Sequence, residues 1–321
     1  MLYYYNMVAE AVVEADRSSV EEKFHQTKAF IVNTAGKIAY DYFYSGSTSN
    51  TLKEDLTVVT QVDKDVETVL VNYIHENFPD DSIYGEEFGK ENGTSGFTWF
   101  LDPIDGTDNF VRHVPFFGIS VARLGDDSEG SFAIIHNPAT KQTFSSFKEE
   151  LGGVFENGRL CTITPEPLGG KTILTISAAS KKGEWIKPAK YALMEEIGLK
   201  YGRGGSYNCC ALELAYVAAN RIDADLIFGL DPYDYAAGLF LAKAAGGEIS
   251  VFEDGKWQTW DSNLKDLCLK ENAMIFVSHP SIHQSMLDFI GDPKSWAEKS
   301  TKKLGPPPRE EWDVPGLKNW N

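Results

Sequence analysis

The second half of the chain alternates between two hydrophobic patterns. Strand-like apolar runs are found at residues 173–177, 225–228 and 273–277, and helical patterns at residues 210–219 and 235–245. An apolar strand must be covered on both faces, and a helix between two strands is the usual connection that covers it. This half is therefore predicted to form an α/β layer.

The first half mixes longer helical patterns with strands. Apolar residues at helical spacing predict a helix over residues 20–43, and a second helix is predicted to begin with Asp63 as its N-cap and to stop before Pro79. Strand-like runs follow at residues 97–101, 118–123 and 131–137. The pair Asn157-Gly158 predicts a hairpin turn, because both residues tolerate positive φ angles.

Composition restricts the class of protein and its partners. With 321 residues and 42% hydrophobic side chains, the chain can bury a sizeable core. A net charge of -17 repels nucleic acid and anionic membranes at long range, so neither is expected as a partner.

No run approaches the roughly 18 apolar residues of a membrane span, and the four cysteines form no CxxC pair. These features predict a cytoplasmic protein with free thiols, in which Cys209-Cys210 is interpreted as packing.

An apolar strand is followed directly by two aspartates. Asp102 and Asp105 lie three residues apart and precede Gly106. Pro103 is predicted to end the hydrogen bonding of the strand and Gly106 to allow a sharp reversal, so that the two carboxylates converge. Two carboxylates about 4 Å apart repel by about 1 kcal/mol even in water, which calls for a compensating cation. Oxygen ligands favour magnesium, calcium or manganese over zinc.

Further acids lie at the boundaries of predicted elements, and they are Asp63, Glu86, Glu87 and Asp234. Taken singly, each aspartate is more often a helix cap than a catalyst, and the two glutamates are more often part of a solvated loop. Taken together with the aspartate pair, the four acids predict one acidic cleft that binds cations.

Four blocks of sequence together resemble the inositol monophosphatase superfamily of magnesium-dependent phosphatases. The blocks are residues 53–63, 85–87, 102–110, and 234–238 with 245–247. The resemblance implies a layered αβαβα sandwich of the inositol monophosphatase and fructose-1,6-bisphosphatase type, with an α+β half and an α/β half. The implied segments are an N-terminal extension (1–20), the α+β half with most metal ligands (21–165), the α/β half with Asp234 and substrate contacts (166–289) and a C-terminal tail (290–321). Homodimers are common in this superfamily, so a homodimer is expected.

The resemblance also implies a set of metal ligands. Glu86, Asp102 and the Ile104 carbonyl would hold one magnesium ion, and Asp102, Asp105 and Asp234 would hold a second. A third, weaker ion would involve Glu86 and water. Manganese is expected to substitute for magnesium, and lithium and calcium are expected to inhibit.

Catalytic and phosphate-binding roles are carried over in the same way. Asp63 and Thr107 would orient and deprotonate the attacking water, with Glu87 near them. The N–H groups of Gly106 and Thr107 would bind phosphate oxygens at a helix start. Lys53 stands where the family often has a lysine near the site, although a surface lysine is an equal interpretation.

The substrate is less well defined by the sequence. Ile227, seven residues before Asp234, stands where inositol phosphatases usually carry an acid that binds substrate hydroxyls, and Asp231 is a candidate to substitute for that acid. Restoring a glutamate at position 227 is expected to raise activity on inositol 1-phosphate. Segments 111–115 and 229–234 lean towards histidinol-phosphate phosphatases. The expected substrate, a small phosphorylated metabolite, is an inositol or sugar phosphate, then histidinol phosphate, then a 3′-phosphoadenosine nucleotide. An inactive phosphatase-like scaffold is the non-enzyme alternative.

Overall fold

The structure is a computed structural model that describes residues 20–45, 50–52, 58–126, 130–147, 153–164, 172–178, 183–270 and 272–303. The predicted N-terminal extension, except for residue 20, and the predicted C-terminal tail from residue 304 onwards lie outside these ranges. Among the described residues, no helix combines the length and the apolar composition that a membrane crossing requires.

The helices of the described residues are found in both halves of the chain, and six of them lie after residue 185. They are α1 (residues 20–30, continued by a π-helical turn at Ile31–Ala35), α2 (Gly36–Ser45), α3 (Gln61–Asn77), α4 (Thr107–Val111), α5 (Ile186–Lys200), α6 (Cys210–Ala218), α7 (Pro232–Ala244), α8 (Leu264–Cys268), α9 (His283–Ile290) and α10 (Ser295–Lys303). A single 3₁₀ turn at Pro280–Ile282 precedes α9.

The strands of the first half form one large sheet. They are β3 (Ser82–Gly85), β4 (Gly89–Glu91), β5 (Thr98–Asp105), β6 (Gly118–Leu124), β7 (Phe132–Asn137), β8 (Gln142–Phe147), β9 (Val154–Glu156) and β10 (Arg159–Cys161). Their order is β10-β9-β8-β7-β6-β5-β3-β4. All neighbours are antiparallel except β3 and β5. Two short strands, β1 (Asn50–Leu52) and β2 (Val58–Thr60), pair only with each other.

The strands of the second half form a six-stranded mixed sheet. They are β11 (Thr172–Ala178), β12 (Gly202–Gly205), β13 (Ala224–Phe228), β14 (Glu248–Glu253), β15 (Lys256–Thr259) and β16 (Met274–Ser278), in the order β12-β11-β13-β16-β14-β15. Strand β11 is parallel to both of its neighbours, and the other pairs are antiparallel. Parallel neighbours require crossover connections, and α5 and α6 occupy these connections.

The helices and the two sheets form five alternating layers, which pack together through three clusters of buried apolar side chains. Helices α1 to α3 pack on one face of the large sheet, with Trp99 and Leu101 on the sheet side. Helices α6 and α7 fill the space between the two sheets, against Phe100 and Ile275. Helices α5, α9 and α10 cover the outer face of the six-stranded sheet. Because neighbouring residues of β5 point to opposite faces, Phe100 and Leu101 belong to different clusters. The expected αβαβα sandwich is confirmed, whereas the boundary near residue 165 stays a prediction.

Local predictions from hydrophobic periodicity agree with the observed elements. The predicted helix over residues 20–43 is present, and the hairpin at Asn157-Gly158 and the predicted strands are found within one or two residues, except that β5 extends four residues beyond its predicted end. Asn157 and Gly158 have φ angles of 48° and 83°, as the turn requires. The helix predicted to start at Tyr235 begins earlier, at Pro232, since Asp231 is its N-cap.

Candidate active site

A bulge in β5 brings Asp102 and Asp105 to the same side of the sheet. Asp102 pairs with Ser120 and Asp105 pairs with Gly118, so β5 has one residue more than β6 between these pairs. In a regular strand, residues three apart point to opposite faces, and an extra residue cancels this alternation. The prediction that Pro103 ends the strand is therefore wrong, because the bulge accommodates its missing N–H and the strand continues to Asp105.

The turn at Gly106 is packed tightly against the second half of the chain. Gly106 has a φ of +86°, and a β-carbon there would lie 3.1 Å from the Asn208 carbonyl oxygen. On the other side of the turn, Asp105 Oδ2 accepts a hydrogen bond of 2.5 Å from Ala211 N and one of 3.2 Å from Cys209 Sγ. These contacts hold Asp105 in place across the interface of the two halves. Cys209, interpreted from sequence as packing, thus contacts a predicted metal ligand.

Asp63 and Thr107 meet although they lie on different helices. Asp63 is the third residue of α3, which begins at Gln61, so the prediction that Asp63 is the N-cap is wrong. Its side chain is buried, with 1% of its surface exposed. Thr107 Oγ1 lies 3.5 Å from Asp63 Oδ1 and donates a hydrogen bond of 3.0 Å to the Ile104 carbonyl oxygen. The structure therefore brings these two residues together, and their role in positioning water stays a prediction.

A buried glutamate that sequence reasoning missed holds the loop of Glu86 and Glu87. Glu67 accepts hydrogen bonds of 2.9 Å from the backbone N–H groups of Glu87 and Phe88. A β-carbon at Gly85 would lie only 2.0 Å from Glu67 Oε1, so a larger residue there would displace the Glu67 carboxylate. Burial raises the pKa of Glu67 to about 7. Its position one helical turn after Asp63 was the available sequence signal.

Asp234 is positioned by a capping box at the start of α7. Asp231 is the N-cap, and Asp234 Oδ2 accepts a hydrogen bond of 2.7 Å from Asp231 N. The reciprocal bond uses the Asp231 side chain and the backbone of Asp234. One oxygen of Asp234 is thereby oriented by its own helix start.

Six predicted acids form two groups of converging oxygens. One group is Asp102, Asp105 and Asp234, and the other is Asp63, Glu86 and Glu87; within each group the ligand atoms lie within 4.8 Å of one another. The first group matches the ligand set expected for the second ion. Glu86 and the Ile104 carbonyl, expected at the first ion, line the same cleft as that group. This cleft has a volume of about 300 Å³.

Burial and mutual repulsion raise the pKa values of the first group. The pKa of Asp102 lies well above its ordinary value because the carboxyl group is buried and close to Glu86 and Asp105. Burial raises the pKa of Asp105 to about 7 and that of Asp234 well above its ordinary value. Clustered acids that resist ionisation, with oxygen as the only donor type, fit a hard divalent cation.

Only some of the residues expected to contact the substrate line the cleft. Gly106, Thr107 and Asp231 line the cleft. Lys53 lies outside the described residues. Ile227 is fully buried in the apolar cluster between the sheets and is not among the residues that line the cleft. The expectation that a glutamate at position 227 would bind substrate is therefore wrong, since its charge would be buried among apolar side chains.

A second polar group is buried beside the cleft. Ser177 Oγ lies 2.7 Å from Glu213 Oε2 and 2.9 Å from Asp225 Oδ2. A hydroxyl has one proton, so both contacts are hydrogen bonds only if one of the acids is protonated and donates to Ser177. The Tyr207 N–H donates to the other oxygen of Glu213. These residues come from β11, α6, β13 and the loop before α6, so no local motif marks the group.

Replacing Glu213 with glutamine should remove a pH-dependent loss of stability. Burial and the nearby Asp225 raise the pKa of Glu213 from 4.5 to about 8. The protonated form therefore stabilises the fold at low pH, and this contribution is lost as the pH rises through that interval. In metal-free buffer, Glu213→Gln should resemble the wild type near about pH 5 and exceed its unfolding free energy by a few kcal/mol near about pH 9, at about 1.4 kcal/mol per pKa unit.

Urea unfolding across this pH range measures the difference. The exposed Glu76→Gln variant is the control, because its side chain is not in the buried group. A gap between the wild type and Glu213→Gln that stays constant with pH would contradict the assignment.

Comparison with known proteins agrees with this site. A family model described as the Inositol monophosphatase family matches residues 21–287. The chain is 32% identical to the Nus factor SuhB of Escherichia coli K12 over 225 residues, which cover 68% of this chain and 80% of that protein. It is 30% identical to the inositol-1-monophosphatase of Bacillus subtilis strain 168 over 262 residues, which cover 80% of this chain and 92% of that protein.

The fold is shared with a solved structure. An IMPase of Thermotoga maritima matches with a TM-score of 0.66 and 25% identity, covering 86% of this chain and 96% of the other. The family is metal-dependent, in agreement with the two groups of acids. The chain belongs to the inositol monophosphatase family and is a phosphoric monoester hydrolase.

Proposed function

We propose that this protein uses magnesium to hydrolyse a small phosphate monoester, namely an inositol or sugar phosphate. The observation that supports this function is the convergence of six carboxylates from α3, the loop after β3, the end of β5 and the start of α7. A cleft of about 300 Å³ has the size of a small-molecule site. Magnesium is favoured because oxygen is the only donor type in both groups.

The proposed ligands divide between two ions. Glu86, Asp102 and the Ile104 carbonyl would hold one ion, and Asp102, Asp105 and Asp234 would hold the other; a third ion near Glu86 would be weaker. Bound divalent cations neutralise phosphate oxygens and make water a stronger nucleophile. Asp105 Oδ2 accepts the hydrogen bonds from Ala211 and Cys209, so Oδ1 is the oxygen proposed to contact an ion.

Residues of the chain would position the reacting groups. The Thr107 hydroxyl would accept the proton of the attacking water and pass its own proton to Asp63, and Glu87 would lie next to this pair. For this transfer the hydroxyl would turn from the Ile104 carbonyl, to which it donates in the structure, towards Asp63 Oδ1 at 3.5 Å. The backbone N–H groups of Gly106 and Thr107 would bind oxygens of the phosphate, and Lys53 would reach the same phosphate.

The location of Ile227 ranks a sugar phosphate above an inositol phosphate within this class. An apolar residue at this position cannot supply the acid that inositol phosphatases usually carry there, and Asp231, which lines the cleft, is the candidate to replace it. Sugar phosphates remain first, and histidinol phosphate is the second candidate, followed by a 3′-phosphoadenosine nucleotide. The expected cytoplasmic homodimer without a nucleic-acid partner stays a prediction.

A phosphate-release screen tests the proposed function. The purified protein should release phosphate from at least one of inositol 1-phosphate, sugar phosphates, histidinol phosphate and 3′-phosphoadenosine nucleotides when magnesium is added. Manganese should replace magnesium, lithium and calcium should inhibit, and a chelator should abolish release. No release from any compound at saturating magnesium would favour the non-enzyme alternative, which the relatives named as a Nus factor keep open.

A further inference from the structure

We propose that Lys190, with Ser206 and Asn208, forms a subsite that binds a second anionic group of the substrate, a carboxylate or a second phosphate. This inference rests on the proposed phosphatase function and narrows its substrate class. It concerns the end of the cleft that faces the six-stranded sheet.

Charge within the cleft is divided between its two ends. Among the described residues that line it, Lys190 is the only base, whereas the acids are Glu86, Asp102, Asp105, Asp108, Asp231 and Asp234. The metal-binding acids belong to the end formed by β5 and α7. Lys190 belongs to the first half of α5 and is only partly buried. A substrate that carries one anion to the metal end can present a second to this lysine.

The subsite is continuous with the expected position of the phosphate ester. Ser206 Oγ accepts a hydrogen bond of 3.2 Å from Lys190 Nζ, and it lies 3.4 Å from both Asn208 N and Asn208 Oδ1. The carbonyl oxygen of Asn208 in turn packs against Gly106, at 3.1 Å from a β-carbon built there. Residues 206–208 therefore connect Lys190 to the turn at Gly106 that is proposed to bind phosphate.

Lys190 lies near the buried acids Glu213 and Asp225 but still has hydrogen-bond donors left for a ligand. Its electrostatic partners Glu213 and Asp225 must share a proton to bond Ser177, so they hold one fewer charge than two free carboxylates. Among the described residues, Lys190 Nζ makes one hydrogen bond, to the neutral Ser206 hydroxyl. An ammonium has three donors, so two remain for a ligand. Burial lowers the pKa of Lys190, a cost that a bound anion would reduce.

Three phosphate esters distinguish the binding of a second anionic group by Lys190 from the binding of the phosphate ester itself. Glycerol 2-phosphate has an uncharged remainder, 3-phosphoglycerate adds a carboxylate and fructose 1,6-bisphosphate adds a second phosphate. For wild-type enzyme with magnesium, kcat/KM should be higher for at least one of the two esters with a second anion. Lys190→Met should raise KM for that ester about tenfold to a hundredfold, as expected for the loss of a charged hydrogen bond. Its KM for glycerol 2-phosphate should change by less than about twofold, and kcat should be retained for both.

Matched variants exclude a merely structural role. Lys190→Arg keeps the charge and should recover part of the affinity, and Lys187→Met removes an exposed lysine from the same helix and should change nothing. Lys190→Gln serves as the second variant if the methionine variant unfolds. Equal effects of the Lys190 substitutions on all three esters, or none, would overturn the subsite while leaving the phosphatase function intact. Failure of the wild type to release phosphate from any ester would overturn both.

Discussion

Asp105→Asn should lower magnesium-dependent phosphate release by about a thousandfold, the loss expected when a group that holds transition-state charge is removed. The side chain is buried, and the expected ion contact is to Oδ1, because Oδ2 accepts the hydrogen bonds from Ala211 and Cys209. Asparagine can still accept the hydrogen bond from Ala211, so the local fold should persist. The rate is measured at saturating magnesium, and magnesium affinity is measured by calorimetry.

The same substitution should not destabilise the metal-free protein at neutral or higher pH. Burial raises the pKa of Asp105 to about 7, so ionising this carboxyl group opposes folding as the pH rises towards that value. Asparagine removes this cost. Asp108→Asn is the matched control, because Asp108 also lines the cleft but is exposed and outside both groups of acids. If Asp105→Asn retained turnover and magnesium affinity, the assignment of Asp105 as a ligand would be wrong.

Thr107→Val should lower kcat by about 10²–10⁴-fold, the usual contribution of a positioned group that transfers a proton. Valine keeps the branched shape and the backbone N–H of residue 107 but removes the hydroxyl that bonds Ile104 and faces Asp63. Because the N–H proposed to bind phosphate remains, KM should change much less than kcat. Steady-state kinetics at saturating magnesium separate the two parameters.

Thr107→Ser is the control for this experiment, since serine restores the hydroxyl and should keep most of the activity. The proposed water-positioning role fails if Thr107→Val retains kcat within a few-fold of the wild type, or if serine and valine reduce it equally. A similar loss in both variants would point to packing around the short helix α4 instead.

The metal centre and the anion subsite depend on opposite halves of the chain. The acids come mainly from the large sheet and its helices, whereas Lys190 and Ser206 come from the six-stranded sheet side. Asp105 is held by Ala211 and Cys209, and Gly106 packs against Asn208. The interface between the halves therefore positions both the proposed metal ligands and the residues proposed to select the substrate.

Local sequence patterns were sufficient to predict several helices and strands and to identify the acids that the structure brings together. Periodicity predicted the α1–α2 helix, strands β5 to β7 of the large sheet and strands β11, β13 and β16 of the six-stranded sheet, because burial on one or both faces imposes a repeat that is visible in a short window. The acids were predicted because close carboxylates require a cation, and the resemblance supplied their grouping. The end of β5 was predicted wrongly at Pro103, since a bulge that spares a proline depends on the partner strand β6.

Contacts between distant residues were decided only by the tertiary structure. Glu67 supports the loop of Glu86 and Glu87, Cys209 contacts Asp105, and Ser177 joins Glu213 to Asp225. The burial of Ile227 likewise depends on the helices that pack between the two sheets. The sequence by itself determined where several of the helices and strands form and which acids are candidates to bind cations, because both follow from local spacing. Which side chains support those acids, and which residues face the substrate, depends on how segments far apart in the chain pack, and no local pattern records that.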